Sequence, residues 1–342
     1  MSDFDELMMQ RCIQLAENGL GTTYPNPMVG CVIVHEGKII AEGWHQKAGG
    51  FHAEAAAIHK IARKEILKKT ILYVSLEPCS HFGKTPPCAD LIIQYQIPKV
   101  VIGCVDSNVK VNGSGIQKLQ NAGIEVEVGV LENKCLDLNK RFFTFHQQKR
   151  PYVILKWAQT ADGFMAPQNG DQKWITHEFS KQLVHQWRTE EQAILVGTNT
   201  AQSDNPQLNS RLWAGNQPMR IVLDRTLKLS TDLNLFDNSQ KTIVFTEKLG
   251  ENQENLTFIK IDFSENLVEQ ILSHLFQLGV QSVIVEGGKQ TLESFIEKGL
   301  WDEARVFTSQ ENWGEGIHSP QLNGELIETK IIQNDRLEIF QK

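Results

Sequence analysis

His52-Ala53-Glu54 and, further on, Glu77-Pro78-Cys79-Ser80-His81-Phe82-Gly83-Lys84-Thr85-Pro86-Pro87-Cys88 bound the stretch around which this 342-residue chain is organised. One imidazole and two thiols make three soft ligands, the set a catalytic zinc ion takes while leaving its fourth position for water. Glu54 stands two residues after His52, where a carboxylate can sit beside that water without binding the metal. The stretch also sets the local fold. The apolar run Ile71–Leu76 reads as a short buried strand that delivers Cys79, and an alanine-rich helix is expected from His52 to about Leu67. Pro87 suits the first turn of a helix over Cys88–Tyr95, whose positive end favours a thiolate nearby.

A His-x-Glu element followed by a Pro-Cys is the pattern of zinc-dependent deaminases, whose glutamate moves protons and is not a ligand. That pattern spaces its cysteines as C-x-x-C, whereas eight residues separate Cys79 from Cys88 here, so the loop marks a particular branch of the class. A structural zinc site would need a fourth protein ligand, for which His81 is the local candidate. A redox pair of cysteines would leave His52 and Glu54 without a purpose, and His52 as a mere helix-start residue would leave the cysteines without one.

Outward from this stretch, the length suits two domains, each able to bury a core. The formal net charge of −7 argues against broad nucleic-acid binding, and no apolar run approaches the ~20 residues that span a bilayer. The acidic start Met1-Ser2-Asp3-Phe4-Asp5-Glu6 lacks the basic and apolar regions of a secretory signal. Six scattered cysteines suit a reducing compartment, and a cytoplasmic setting is expected.

Before the stretch, residues 4–18 carry apolar positions at helical spacing, and Val29–Val34 with Ile39–Trp44 reads as a hairpin turning at Glu36-Gly37. After it come strands at Val100–Val105 and Ile124–Val130 around a helix at 113–122, then a helix over 132–149. The polar run Gln147-Gln148-Lys149-Arg150-Pro151 marks a boundary, giving domains of 1–147 and 148–342. The second half reads as strands at Val153–Trp157, Ala193–Gly197, Arg220–Asp224, Thr242–Thr246, Phe258–Ile261, Ser282–Glu286, Ala304–Thr308 and Ile331–Phe340, with helices near 177–190, 264–278 and 288–298. Both halves are layered α/β domains.

Three strand ends in the second half run into glycine or hydroxyl residues. They are Val285-Glu286-Gly287-Gly288, Val196-Gly197-Thr198-Asn199-Thr200 leading to Asp204-Asn205-Pro206, and Thr160-Ala161-Asp162-Gly163 leading to Trp174-Ile175-Thr176. Backbone N–H groups at a helix start receive phosphate, so these junctions fit a nucleotide cleft at the C-terminal ends of strands.

With these motifs in order, and with Pro25-Asn26-Pro27-Met28-Val29-Gly30 before them, the chain resembles the bifunctional riboflavin-biosynthesis deaminase-reductases over nearly its full length. The resemblance implies a cytidine-deaminase-like α/β/α sandwich followed by a dihydrofolate-reductase-like α/β domain. It implies zinc-dependent hydrolytic deamination of 2,5-diamino-6-ribosylamino-4(3H)-pyrimidinone 5′-phosphate and then NADPH-dependent reduction of the ribosyl side chain to ribityl. Zinc falls on His52, Cys79 and Cys88, with Glu54 as proton shuttle, and the deaminase substrate on Asn26, His45, Lys84, Asp106 and Asn108. NADPH falls on Ala158, Trp174, Thr200, Asp204 and the run Gly288, Lys289, Gln290, Thr291, Leu292, Glu293 and Ser294. The reductase substrate falls on Gln172, Arg188, Leu208, Arg211 and Glu286. Two positions depart from the family's pattern: Gln172 replaces a usual serine, and Val109 replaces the proline that usually follows Asn108. A homodimer, with neither nucleic-acid nor membrane partner, is the expected assembly. The rival readings are a nucleic-acid-editing deaminase, which leaves the second half unexplained, and a zinc-stabilised scaffold.

Overall fold

The computed structural model describes residues 2–80, 86–106, 113–168 and 175–342. The chain divides into two compact units, Met1–Lys149 and Arg150–Lys342.

The first unit opens with helix α1 (Asp3–Glu17), started by a reciprocal capping box between Ser2 and Asp5. Strands β1 (Gly30–His35) and β2 (Lys38–Trp44) form an antiparallel hairpin. Its turn needs two positive φ angles, and Glu36 (47°) and Gly37 (72°) supply them. Helix α2 (Ala53–His59), β3 (Ile71–Leu76), α3 (Cys88–Gln94), β4 (Lys99–Cys104), α4 (Ser114–Asn121), β5 (Glu125–Val128), α5 (Glu132–Leu138) and α6 (Lys140–Gln148) complete the unit. The sheet order is β2-β1-β3-β4-β5, with β3, β4 and β5 parallel.

Strand residues alternate between two cores. Cys31, Ile33, Leu72, Val74, Val100 and Ile102 face α2, α3 and α4, while Val32, Val34, Tyr73 and Val101 face α1, α5 and α6. The result is a three-layer α/β/α sandwich. Helix α2 lies almost on the backbone of β2, because Gly43 has no side chain; a Cβ there would come within 2.4 Å of the Ala53 carbonyl oxygen and 2.5 Å of the Ala57 nitrogen.

In the second unit β6 (Tyr152–Gln159), β7 (Phe164–Ala166), α7 (Glu178–Glu190), β8 (Ala193–Val196), α8 (Thr198–Asp204), β9 (Met219–Leu223), β10 (Thr242–Thr246) and β11 (Leu256–Lys260) come first. Then follow α9 (Leu267–Gln277), β12 (Ser282–Val285), α10 (Lys289–Glu297), β13 (Glu303–Thr308), β14 (Ile317–His318), β15 (Glu325–Ile332) and β16 (Asp335–Gln341). The nine-stranded sheet runs β11-β10-β9-β8-β12-β6-β13-β16-β15. Its first seven strands are parallel and its last two antiparallel. Val153, Leu155 and Trp157 pack with α9 and α10 on one face, and Ile154 packs with Val184 and Trp187 of α7 on the other. The C-terminal ends of β8, β12 and β6 therefore stand side by side.

Three expected elements are different in the structure. The helix begun at His52 stops at His59 and restarts as a 3-10 turn over Lys64–Lys69. Lys64 folds back there, its Nζ donating to the carbonyl oxygens of Ile58 (2.5 Å) and Ile61 (2.6 Å). The single helix expected over 132–149 is two helices, broken at Asn139, whose side-chain amide is committed to both the N–H and the carbonyl of Met28 at 2.8 Å each. The strand expected at Ile331–Phe340 is the end of one strand and most of another, joined by a turn with Gln333 at φ 56°. Helix α8 and the β7–β14 ribbon were not legible in the sequence pattern.

Candidate active sites

The first site is assembled at the C-terminal end of β3 and the start of α2 and α3. His52 precedes α2 in extended conformation, and its Nδ1 lies 3.5 Å from Cys79 Sγ and 3.4 Å from Cys88 Sγ. The ligand atoms of all three residues fall within 4.8 Å of one another. Tetrahedral zinc with ordinary bond lengths puts nitrogen and sulfur ligands about 3.6 Å apart, so this donor set fits the ion. Local hydrogen bonding brings the thiols together: Cys88 N–H donates to Cys79 Sγ (3.3 Å) and Ala89 N–H to the Cys79 carbonyl (3.1 Å). The Cys88 thiol, then His52, hold Cys79 down to about 4, whereas its hydrogen bond to Cys79 pushes Cys88 up.

Glu54 sits in the first turn of α2, 3% exposed. Burial, reinforced by the charge of Cys79, raises its carboxyl to about 7. A carboxyl with that value changes protonation state easily near neutrality.

Asn26 and His45 are brought to the same place. The Asn26 amide Nδ2 lies 3.0 Å from His45 Nε2, and His45 Nδ1 lies 2.9 Å from the Phe51 carbonyl. One tautomer satisfies both contacts: Nδ1–H donates to Phe51 and Nε2 accepts from Asn26. Burial lowers the His45 pKa, which keeps that neutral form. The His45 ring meets the His52 ring edge-on at 5.4 Å between centroids. Asp106 is buried just beyond the end of β4, the parallel neighbour of β3, on the same sheet end as Cys79. Lys84 and Asn108, together with His81 and Val109, lie outside the described residues.

The second site lies at the C-terminal ends of β8, β12 and β6. Gly288 and Thr200 are neighbours, since a Cβ on Gly288 would sit 3.2 Å from Thr200 Oγ1. Gly197 and Gly287 both approach Thr291, with hypothetical Cβ contacts of 2.5 Å and 2.6 Å. Bare glycines at these junctions allow two helix starts, α8 and α10, to converge. From α10 the candidate run Gly288 to Ser294 follows, with Leu292 buried in the core and Lys289 paired to Glu293 at 3.6 Å. Ala158 lies at the C-terminal end of β6, opposite Phe307 in register. Asp204 ends α8 and accepts from the Ser203 hydroxyl at 2.8 Å. Trp174 and Gln172 lie outside the described residues.

Beside this cleft is a nearly buried ion cluster. Glu286, at the end of β12, accepts from Arg188 at 2.9 Å and 3.4 Å and lies 3.8 Å from Lys156 Nζ. Arg188 also donates to the Asn209 carbonyl at 3.0 Å. Burial would raise the Glu286 carboxyl, but Arg188 and then Lys156 outweigh it and hold the group at about 2. Burial lowers Lys156 from the ordinary lysine range. His185 is lowered to about 4, by burial and then by Arg188 and Arg211. Arg211 is exposed and bonds Asn209 Oδ1 at 3.0 Å; Leu208 is buried with φ 49°. Lys156 and His185 were not singled out from the sequence. A lysine inside the apolar strand Tyr152-Val153-Ile154-Leu155-Lys156-Trp157 is the signal that could have found the first, since buried lysines are rare unless paired.

Both halves of the chain are similar to known proteins. Residues 2–104 match the family described as cytidine and deoxycytidylate deaminase zinc-binding region, and residues 151–310 match the RibD C-terminal domain. The riboflavin biosynthesis protein RibD of Aquifex aeolicus is 42% identical over 335 residues, covering 96% of this chain and 93% of that one. A Thermotoga maritima structure described as a diaminohydroxyphosphoribosylaminopyrimidine deaminase/5-amino-6-(5-phosphoribosylamino)uracil reductase superposes with a TM-score of 0.90 at 39% identity, covering 99% of this chain and 98% of that one. Acinetobacter baumannii RibD, form 1, also gives a TM-score of 0.90, at 34% identity and 99% coverage of both chains.

Proposed function

Since the chain belongs to the RibD family of bifunctional riboflavin-biosynthesis deaminase-reductases, we propose that its first unit deaminates 2,5-diamino-6-ribosylamino-4(3H)-pyrimidinone 5′-phosphate on the His52-Cys79-Cys88 centre and that its second unit reduces the product with NADPH. The observation that carries the first half is the three-ligand cluster with a buried, non-ligating Glu54 beside it. The fold class expected from the sequence, a cytidine-deaminase-like domain followed by a reductase domain, is the one observed.

His52, Cys79 and Cys88 would hold zinc, which when bound supplies Lewis-acid activation of water near neutral pH. Glu54 accepts the proton of the attacking water and returns it to the departing nitrogen. Asn26 and neutral His45 form a rigid polar pair beside this centre, suited to a pyrimidine edge. Replacing Cys79 or Cys88 by serine is expected to lower bound zinc well below one equivalent, because a hydroxyl is a far poorer ligand at neutral pH. Full zinc occupancy in both variants, by metal analysis, would remove the site.

In the second unit NADPH would be held by Ala158, Trp174, Thr200, Asp204 and the start of α10, where the N–H groups after Gly288 would receive a phosphate. Arg211, exposed and loosely held, takes the substrate phosphate; Arg188, already committed to Glu286 and Asn209, braces the carboxylate that faces the sugar. Rate enhancement here comes from holding the nicotinamide against the sugar carbon that accepts hydride. No described helix is long and apolar enough to cross a membrane, and a cytoplasmic homodimer acting on a small phosphorylated pyrimidine, without nucleic acid, completes the reading.

The deciding experiment gives the purified protein the diaminopyrimidine phosphate and follows ammonia release and NADPH absorbance together, with NADH in parallel. Both signals, with NADPH preferred, are expected. Gly288→Val should raise the KM for NADPH, since the new side chain starts 3.2 Å from Thr200 Oγ1, and should leave ammonia release intact. Absence of ammonia release from the wild-type protein, or normal NADPH affinity in the variant, would overturn the corresponding half.

A further inference from the structure

We propose that Glu77 is a positioning residue for deamination, its carboxylate fixing Asp106 and the start of α4 against the strand end that delivers Cys79. Glu77 is 4% exposed and follows β3 directly. Its Oε2 accepts from the N–H of Asp106 (3.3 Å) and of Gly113 (2.9 Å), and its Oε1 from the N–H of Gly115 (2.8 Å) and Ile116 (3.3 Å). Four backbone donors, from the last residue before and the first residues after positions 107–112, thus converge on one side chain.

Helix α4 has no side-chain cap of its own: its N-cap is Gly113 at φ 84°. Its first N–H groups would otherwise be unpaired, and a carboxylate from another strand takes their place. The contact is close on both sides. A Cβ on Gly115 would come within 2.0 Å of the Pro78 carbonyl oxygen, and Ser80 Oγ lies 2.6 Å from Ser114 Oγ. Residues 77–80 and 113–116 therefore form one packed unit, with the metal ligand Cys79 inside it.

A carboxylate capping a helix can be there for stability alone. Two features point further. Glu77 stands two residues from Cys79, and it anchors the residues on both sides of 107–112, one of which, Asp106, the family pattern assigns to substrate together with Asn108. Coupling the metal ligand Cys79 and Asp106 through one buried side chain sets the distance between them, which is what oriented catalysis requires. The inference rests on the deaminase reading of the first unit.

The test uses full-length Glu77→Gln, which keeps the size but presents an amide N–H₂ to backbone donors. Zinc content, steady-state ammonia release and NADPH-dependent reduction of supplied deaminated product are measured on the same preparation. Zinc at one equivalent, unchanged reductase kinetics and a fall of at least about tenfold in deaminase kcat/KM, carried mainly by KM, are expected. Glu77→Asp, which keeps the charge, should recover part of that loss. Wild-type deaminase kinetics in Glu77→Gln would overturn the proposal, as would zinc loss in step with activity, which would make Glu77 a support of the metal ligands only. If Glu77→Gln fails to fold, Gly115→Ala decides. It keeps the carboxylate but pushes α4 off Pro78 and off Glu77, since the new Cβ would start 2.0 Å from the Pro78 carbonyl oxygen and 3.1 Å from Glu77 Oε1, so the same KM-weighted loss with zinc retained supports the proposal and unaltered kinetics overturn it. A wild-type protein that releases no ammonia would sink the deaminase reading itself, a result distinct from either of these.

Discussion

Glu54→Gln protein is expected to keep its zinc and its NADPH-dependent reduction of supplied deaminated product while losing ammonia release by 10²- to 10⁴-fold or more. The substitution preserves size in a position that is 3% exposed, so the packing of α2 against β2 should survive. It removes a buried carboxyl, raised to about 7, that can both take a proton from water and deliver it to nitrogen. Three ligands remain to the metal, because Glu54 is outside the donor set that brings nitrogen and two sulfurs within 4.8 Å. Metal analysis and the two activity assays on one preparation give the answer. Zinc loss in this variant would make Glu54 a ligand, and retained deamination would place the proton carrier elsewhere.

That His52, Cys79 and Cys88 come together was legible in the sequence because zinc chemistry dictates residue types: His, Cys and Cys with a glutamate in a fixed position have few other purposes. The hairpin was legible because Glu36-Gly37 meets a turn that demands positive φ. What escaped has a common cause, a partner far along the chain. Ala-rich propensity carries α2 onward to Leu67, but Lys64 folds back to cap it at about Ile61. The helical pattern of 132–149 hides a break set by Asn139 bonding Met28, 111 residues away. Lys156 reads as a stray charge in an apolar strand until β12 brings Glu286 beside it. Glu77 reads as part of a cysteine motif until the N–H groups of Asp106, Gly113, Gly115 and Ile116 reach it. Local sequence encodes where a chain turns and what a motif binds; it does not encode which buried charge will find a counter-charge.

The Glu286 cluster gives the second large effect. In Glu286→Gln protein, Arg188 and Lys156 remain side by side in a nearly buried site without the carboxylate that neutralises them. Removing one partner of a buried ion pair costs about 3–5 kcal/mol. The glutamine keeps one acceptor, so the low end applies to the stability of the second unit. A hydrogen bond to a charged group is worth about 1.5–3 kcal/mol, so losing the carboxylate assigned to the substrate should separately lower reductase kcat/KM by about 10- to 100-fold, with ammonia release unchanged. The pH dependence has a defined sign. The carboxyl stands at about 2 in the folded protein against 4.5 for an ordinary glutamate, so its stabilisation is fully present above pH 4.5 and is lost as the pH falls towards 2. That shift corresponds to about 3 kcal/mol as an upper figure. The unfolding free energy of the second unit should therefore differ between wild type and Glu286→Gln most at neutral pH, and the gap should shrink below pH 4.5. Tryptophan fluorescence reports this unit well, because six of the seven tryptophans lie in it. A gap that stays constant down to pH 3, or a reductase that tolerates the change, would mean that Arg188 and Lys156 do not depend on Glu286 for their charge.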